Sequence, residues 1–158
     1  MRWVTKERAK VDRIACPWLI RKFIDKDAQF IFAPNDQVLE VAKAEGAIPF
    51  DYPGVELSHY SENGAERVTF DALIKKYNLK DPALSELAKI VRGADARVTG
   101  PTDSAAESAG LEAAATGFRL ISRDDRDNMN LQFPLYEALY RFCQLRVSEG
   151  SELENTLQ

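Results

Sequence analysis

The sequence predicts an α+β fold, mostly helical, with five or six helices around a small sheet of two or three short strands. Three observations predict it. Apolar residues recur at helical spacing in several separate stretches, the β-type runs are brief, and no internal repeat, βαβ alternation or low-complexity segment points elsewhere. A chain of 158 residues is long enough for one good core and too short for two ordinary domains. The expectation is one domain over residues 1–147 and a polar tail over 148–158 that frays.

Trp3-Val4-Thr5 reads as a short opening strand. Val11 to Asp25 then packs apolar residues and charges most densely. As one helix it places Cys16, Leu19, Ile20, Phe23 and Ile24 on a single stripe, with Arg21, Lys22 and Asp25 on the other side. The same projection puts Asp12 and Arg13 inside the apolar arc, where a charge is expensive unless paired or ligand-bound. Pro17 is tolerated in the first turn of a helix and not further in, so the regular helix is expected to start near Cys16 or Pro17. Asp12 and Arg13 would then lie in the loop before it, beside free backbone N–H groups where an anion can bind. The plainer alternative is that Asp12 caps the helix and Arg13 pairs with a carboxylate.

Ala28 to Ala33 is a compact β-type run closed by Pro34, and Val38, Leu39, Val41 and Ala42 belong to a short helix that Gly46 ends. Val55 to Tyr60 alternates like a strand, with Val55, Leu57 and His59 on one face, and Ser61 to Gly64 makes a turn. Thr69 is a candidate cap for a helix carrying Phe70, Leu73, Ile74 and Tyr77, with Asp71 in its first turn. Asp81-Pro82 is a strong start for the next helix, which runs to Gly93. Ala94 to Ser104 is expected to be a loop, Ala105 to Ile121 a small-sided helix and Arg123 to Asp127 a turn. The last amphipathic helix then follows Phe133-Pro134.

The formal net charge of −4 argues against an autonomous nucleic-acid binder, which would carry a basic face. Small molecules or proteins are the expected partners. No run approaches the roughly 20 apolar residues of a membrane helix, and Met1 to Lys6 leads straight into charges, unlike a signal peptide. Cys16 and Cys143 lack CxxC spacing, which suits free buried thiols in a reducing, cytoplasmic setting.

His59 is the single imidazole, so any histidine base or nitrogen metal ligand must be this residue. Its plainer reading is a satisfied core residue. A site of His59 with Asp71 and Asp95, with Cys16 nearby, would suit iron, manganese or an open catalytic zinc. Asp71 equally suits the first turn of a helix, and Asp95, flanked by Arg92 and Arg97, equally suits a loop. Glycine-rich phosphate loops, GxSxG and HExxH are absent, which removes the commonest nucleotide-binding, esterase and zinc-protease readings.

Several segments together resemble the C-terminal domain family of the chromate-resistance protein ChrB. They are Trp3-Val4-Thr5, Lys10 to Asp25, Gly46 to Asp51, Val55 to His59, Phe70-Asp71, Asp81 to Leu84, Ile90 to Asp95 and Pro134 to Tyr140. Tyr60 and Arg92 stand where many members carry histidine. The resemblance implies a chromate-responsive role. DNA binding, which belongs to an additional N-terminal half of the full-length regulators, is not carried over. The reading it supports is a module that recognises an oxyanion such as chromate, or a metal ion, and passes occupancy to a protein partner. Asp12, Arg13, Cys16, Arg21 and Arg92 are the ligand-binding candidates, because arginines and helix N-termini suit a sulfate-like dianion. His59, Asp71 and Asp95 are the metal candidates, and the alternative is a small metal-dependent enzyme built on them.

Overall fold

In the computed structural model, β1 (Arg2–Lys6) is the central strand of a parallel sheet, flanked by β2 (Gln29–Ala33) and β3 (Ile48–Pro49) in the order β2-β1-β3. Residues 1–95 and 105–157 are described, with side chains to residue 150. Trp3, Val4 and Thr5 are fully buried, as a middle strand covered on both faces requires. The chain passes from β1 through α1 (Asp12–Leu19) and a π-helical turn (Ile20–Ile24) to β2. It then crosses through α2 (Val38–Glu45) to β3 on the other side of β1. The expected absence of βαβ alternation therefore fails in this N-terminal part. β1 and β2 were visible as β-type runs, but β3 is only two residues long, and the parallel pairing of the three strands leaves no periodic pattern in the sequence.

The direction of crossover reverses at β1. In open parallel sheets, such a reversal leaves a crevice outside the carboxyl ends of the two diverging strands. Here those ends are followed by Asp12, at the start of α1, and by Asp51, just after β3.

α1 begins earlier than the proline predicts. Ile14 and Ala15 both donate to the Val11 carbonyl, at 3.1 and 2.8 Å, so Pro17 lies inside the helix. The missing proline N–H leaves one backbone bond unmade. Burial of Ile14, Ala15 and Cys16 holds the first turn regardless. Downstream, the Asp25 N–H reaches back five residues to the Ile20 carbonyl at 2.7 Å, which makes the last turn π-helical.

Val55 to His59 is not a strand; its ladder contact is a single bridge between Phe50 and Leu57. The regular pairing comes next, between β4 (Tyr60–Glu62) and β5 (Ala65–Arg67). Asn63 and Gly64 join them with φ of 53° and 79°, the left-handed pair that a tight hairpin needs. α3 (Thr69–Lys76) is capped from Val68, so Thr69 is its first residue and not its cap. Asp81 caps α4 (Pro82–Ala94) by accepting from the Ala83 N–H at 2.9 Å. α5 (Ser108–Ile121) follows. α6 (Asp125–Leu157) starts within the expected turn, because the Asp124 side chain accepts from the Asp127 N–H at 2.8 Å. Pro134 lies inside α6 and does not open it. Most of the loop expected at Ala94 to Ser104, including Arg97, lies outside the described residues.

One continuous apolar core runs from Trp3 through Trp18, Phe50, Phe70 and Leu87 to Tyr136 and Cys143. The fold is α+β and mostly helical, with six α-helices among the described residues. Among those residues no helix is long and apolar enough to cross a membrane.

Candidate functional site

Four acidic or imidazole side chains meet at the crevice, each delivered by a different segment. Asp12 comes from the first residue of α1 and Asp51 from the residue after the β3 bridge. His59 comes from the segment before β4, and Asp95 from the residue that ends α4. The His59 Nε2 lies 3.5 Å from Asp12 Oδ2, 3.4 Å from Asp51 Oδ1 and 3.2 Å from Asp95 Oδ2. One ligand atom each from Asp12, His59 and Asp95 can be chosen so that all lie within 4.8 Å of one another. The three carboxylates are buried, whereas the histidine side chain is 24% exposed.

Neighbouring groups fix the orientation of these carboxylates. Asp12 accepts from the backbone N–H of Thr69 at 2.8 Å and of Phe70 at 3.2 Å, so its charge occupies the N-terminus of α3. The Thr69 hydroxyl donates to Asp51 at 2.8 Å, and Arg13 Nε lies 3.1 Å from the other Asp51 oxygen. Asp51 has φ of 52°, a left-handed conformation that aspartate tolerates better than most residues. Its N–H donates to the Leu57 carbonyl at 2.7 Å. Thr69 thus ties two site carboxylates to one helix end.

The electrostatics follow from crowding. Burial first, then the charge of Asp51, pushes Asp12 up to about 6 against the hydrogen bond from His59. Burial opposes charge on His59, but its contacts with Asp12, Asp51 and Asp95 outweigh this and push it up to about 11. Without another cation, His59 is therefore an imidazolium at neutral pH. Cys16 donates its thiol to Asp12 Oδ1 at 3.4 Å, and burial with the nearby acids holds its pKa well above the ordinary thiol value. It is a thiol donor at the site, not a thiolate.

The structure brings together Asp12, Arg13, Cys16, His59 and Asp95 from the residues singled out in the sequence. It places Asp71 elsewhere. That carboxylate accepts from the Val68 N–H at 3.0 Å, within the first turn of α3, and from Arg92 Nη1 at 2.5 Å. Burial raises the Asp71 pKa while Arg92 opposes the shift. Arg21 lies apart as well, donating to the Ala28 carbonyl at 3.1 and 3.2 Å and stacking over Phe30. Asp51 was not among the sequence candidates. The usable signal was an aspartate directly after a short apolar run, at the carboxyl end of a strand beside the switch in strand order.

The model of the ChrB C-terminal domain family matches residues 3–143. Protein ChrB of Cupriavidus metallidurans is 32% identical over 118 residues, which is 74% of this chain and 33% of that protein. The chain thus spans about a third of the length of the curated relative it matches. No solved structure matches.

Proposed function

This chain belongs to the ChrB C-terminal domain family, and from that membership we propose a chromate-resistance-associated binding or sensing domain whose ligand is a divalent metal ion. His59, Asp12 and Asp95 are its ligands, with Asp51 completing the acidic wall. The observation that carries this reading is the convergence of three buried carboxylates, from three separate segments, within 3.5 Å of one imidazole nitrogen. A proton on His59 supplies one positive charge there; a divalent cation supplies two and replaces loose contacts with coordination. One imidazole among carboxylates suits manganese, iron(II) or an open zinc site.

A sensor needs a difference in affinity between two states. The ligands lie at the ends of α1 and α4 and in the segment before β4, so occupancy replaces the His59–carboxylate contacts that join these segments with coordination to one ion. The three arginines considered for a bare oxyanion do not converge, since Arg13 faces Asp51, Arg92 faces Asp71 and Arg21 faces Ala28. That favours the metal over an anion as the first ligand. A metal-dependent enzyme is the second reading, and the observation favouring it is a cleft that reaches Asp12, Asp51 and Asp95 from outside.

Thermal melts with manganese, iron(II) and zinc test the proposal. A metal at a hundred times its Kd stabilises the folded chain by about 2.7 kcal/mol, and we expect this rise in the wild type but not in His59→Ala or Asp95→Asn. Equal melting temperatures with and without every metal would sink it.

A further inference from the structure

We infer that a small multivalent oxyanion binds beside the metal ion as a second ligand, held by Arg8 and Arg119 at the mouth of the acidic cleft. This rests on the metal reading above and names what that site takes next. The cleft encloses about 170 Å³. Its floor is Asp12, Asp51 and Asp95, and its walls carry Arg8, Lys10, Arg13 and Arg119. Clefts for drug-sized molecules run to roughly 300–1,000 Å³, so this one suits a small ion with water. A second cleft of about 260 Å³, lined by Ser122 and Arg123, shares Arg8 and Arg119, which therefore stand where the two meet.

The four wall cations differ in what they already hold. Lys10 pairs with Glu112 at 3.3 Å and Arg13 with Asp51 at 3.1 Å. Arg8 and Arg119 are exposed, and among the described residues neither guanidinium forms an ion pair. Arg8 is also held in place. Its φ of 61° is left-handed, and the Asp125 carboxylate fixes the turn by accepting from the Arg8 and Ala9 N–H groups at 2.9 and 2.7 Å.

An acidic floor under a basic mouth suits a cation below with an anion above it. A guanidinium matches two oxygens of a tetrahedral dianion, but the floor carboxylates repel that dianion until a metal ion neutralises them. Binding is therefore ordered, metal first and oxyanion second.

Isothermal titration separates the steps, with manganese(II) added first to the wild type and to an Arg8→Ala/Arg119→Ala variant whose fold is checked by circular dichroism. Sulfate, and in parallel chromate, is then titrated into the metal-free and the manganese-loaded forms. We expect both proteins to bind manganese alike, and oxyanion to bind the wild type only when manganese is present. In the variant, oxyanion affinity falls by about tenfold or more, the loss expected for charge-assisted hydrogen bonds. Arg8→Lys/Arg119→Lys recovers part of it. Oxyanion binding that ignores manganese, or that survives the double alanine variant, overturns this inference and leaves the metal site standing. A wild type that takes up no manganese overturns both.

Discussion

Asp71 and His59 show how far single residues can be read from the chain. Both were metal candidates, yet the structure commits Asp71 to Arg92 and to the first turn of α3. Removing one partner of a buried ion pair costs about 3–5 kcal/mol. Asp71→Ala should therefore lower stability in urea unfolding while the manganese affinity of the folded fraction stays near wild type. His59 has a second signature. Its folded pKa, about 11, is above its unfolded 6.5, so its contribution to stability is fully present below about pH 6.5 and lost as pH rises through 11. Asp12 shifts in the same sense, from 3.8 to about 6, so the folded state also loses ground as pH rises through that range. Unfolding of the metal-free protein across pH 6.5 to 11 should show stability falling, with the fall reduced in His59→Ala. A single histidine was legible because no other residue could take its role. Asp51 was not, because its place beside His59 depends on where β3 ends.

At the scale of elements, α3 supplies the support for the site. Its first N–H groups go to Asp12, and the Thr69 hydroxyl goes to Asp51. Thr69→Val keeps the shape and the backbone donor but deletes the hydroxyl. Loss of such an outer hydrogen bond costs about 10–100-fold in metal affinity, and we expect the low end, about tenfold, because Asp51 lies at the edge of the ligand set. Titration of metal into the variant measures it. Caps and stops were legible where one residue determines them locally. Asp81-Pro82 starts α4, and Gly46, at φ of 61°, ends α2. The start of α1 was not legible. Pro17 argues locally for a later start, and the burial of Ile14 and Ala15 together with the anchoring of Asp12 on α3 outweighs it. The β4-β5 turn was visible in Asn63-Gly64, but its strands are only three residues each and carry little pattern of their own.

For the whole molecule, α6 secures the loop that delivers Asp12. Asp125 holds Arg8 and Ala9, the Asn128 side-chain amide donates to the Ala9 carbonyl at 3.0 Å, and the Tyr136 hydroxyl donates to the Val11 carbonyl at 3.3 Å. Tyr136 is fully buried, so this brace belongs to the core and not to the surface. The fold class was legible from helical spacing, whereas the strand order that creates the crevice was not, since it depends on pairings distant in sequence. Everything proposed for this site follows from one divalent ion held in the crevice. The most direct measurement is elemental analysis of the protein after equilibration with manganese or zinc and dialysis, for the wild type and His59→Ala. One ion per chain is expected in the wild type and none in the variant. A wild type without bound metal, or a variant that retains the same amount, would contradict it.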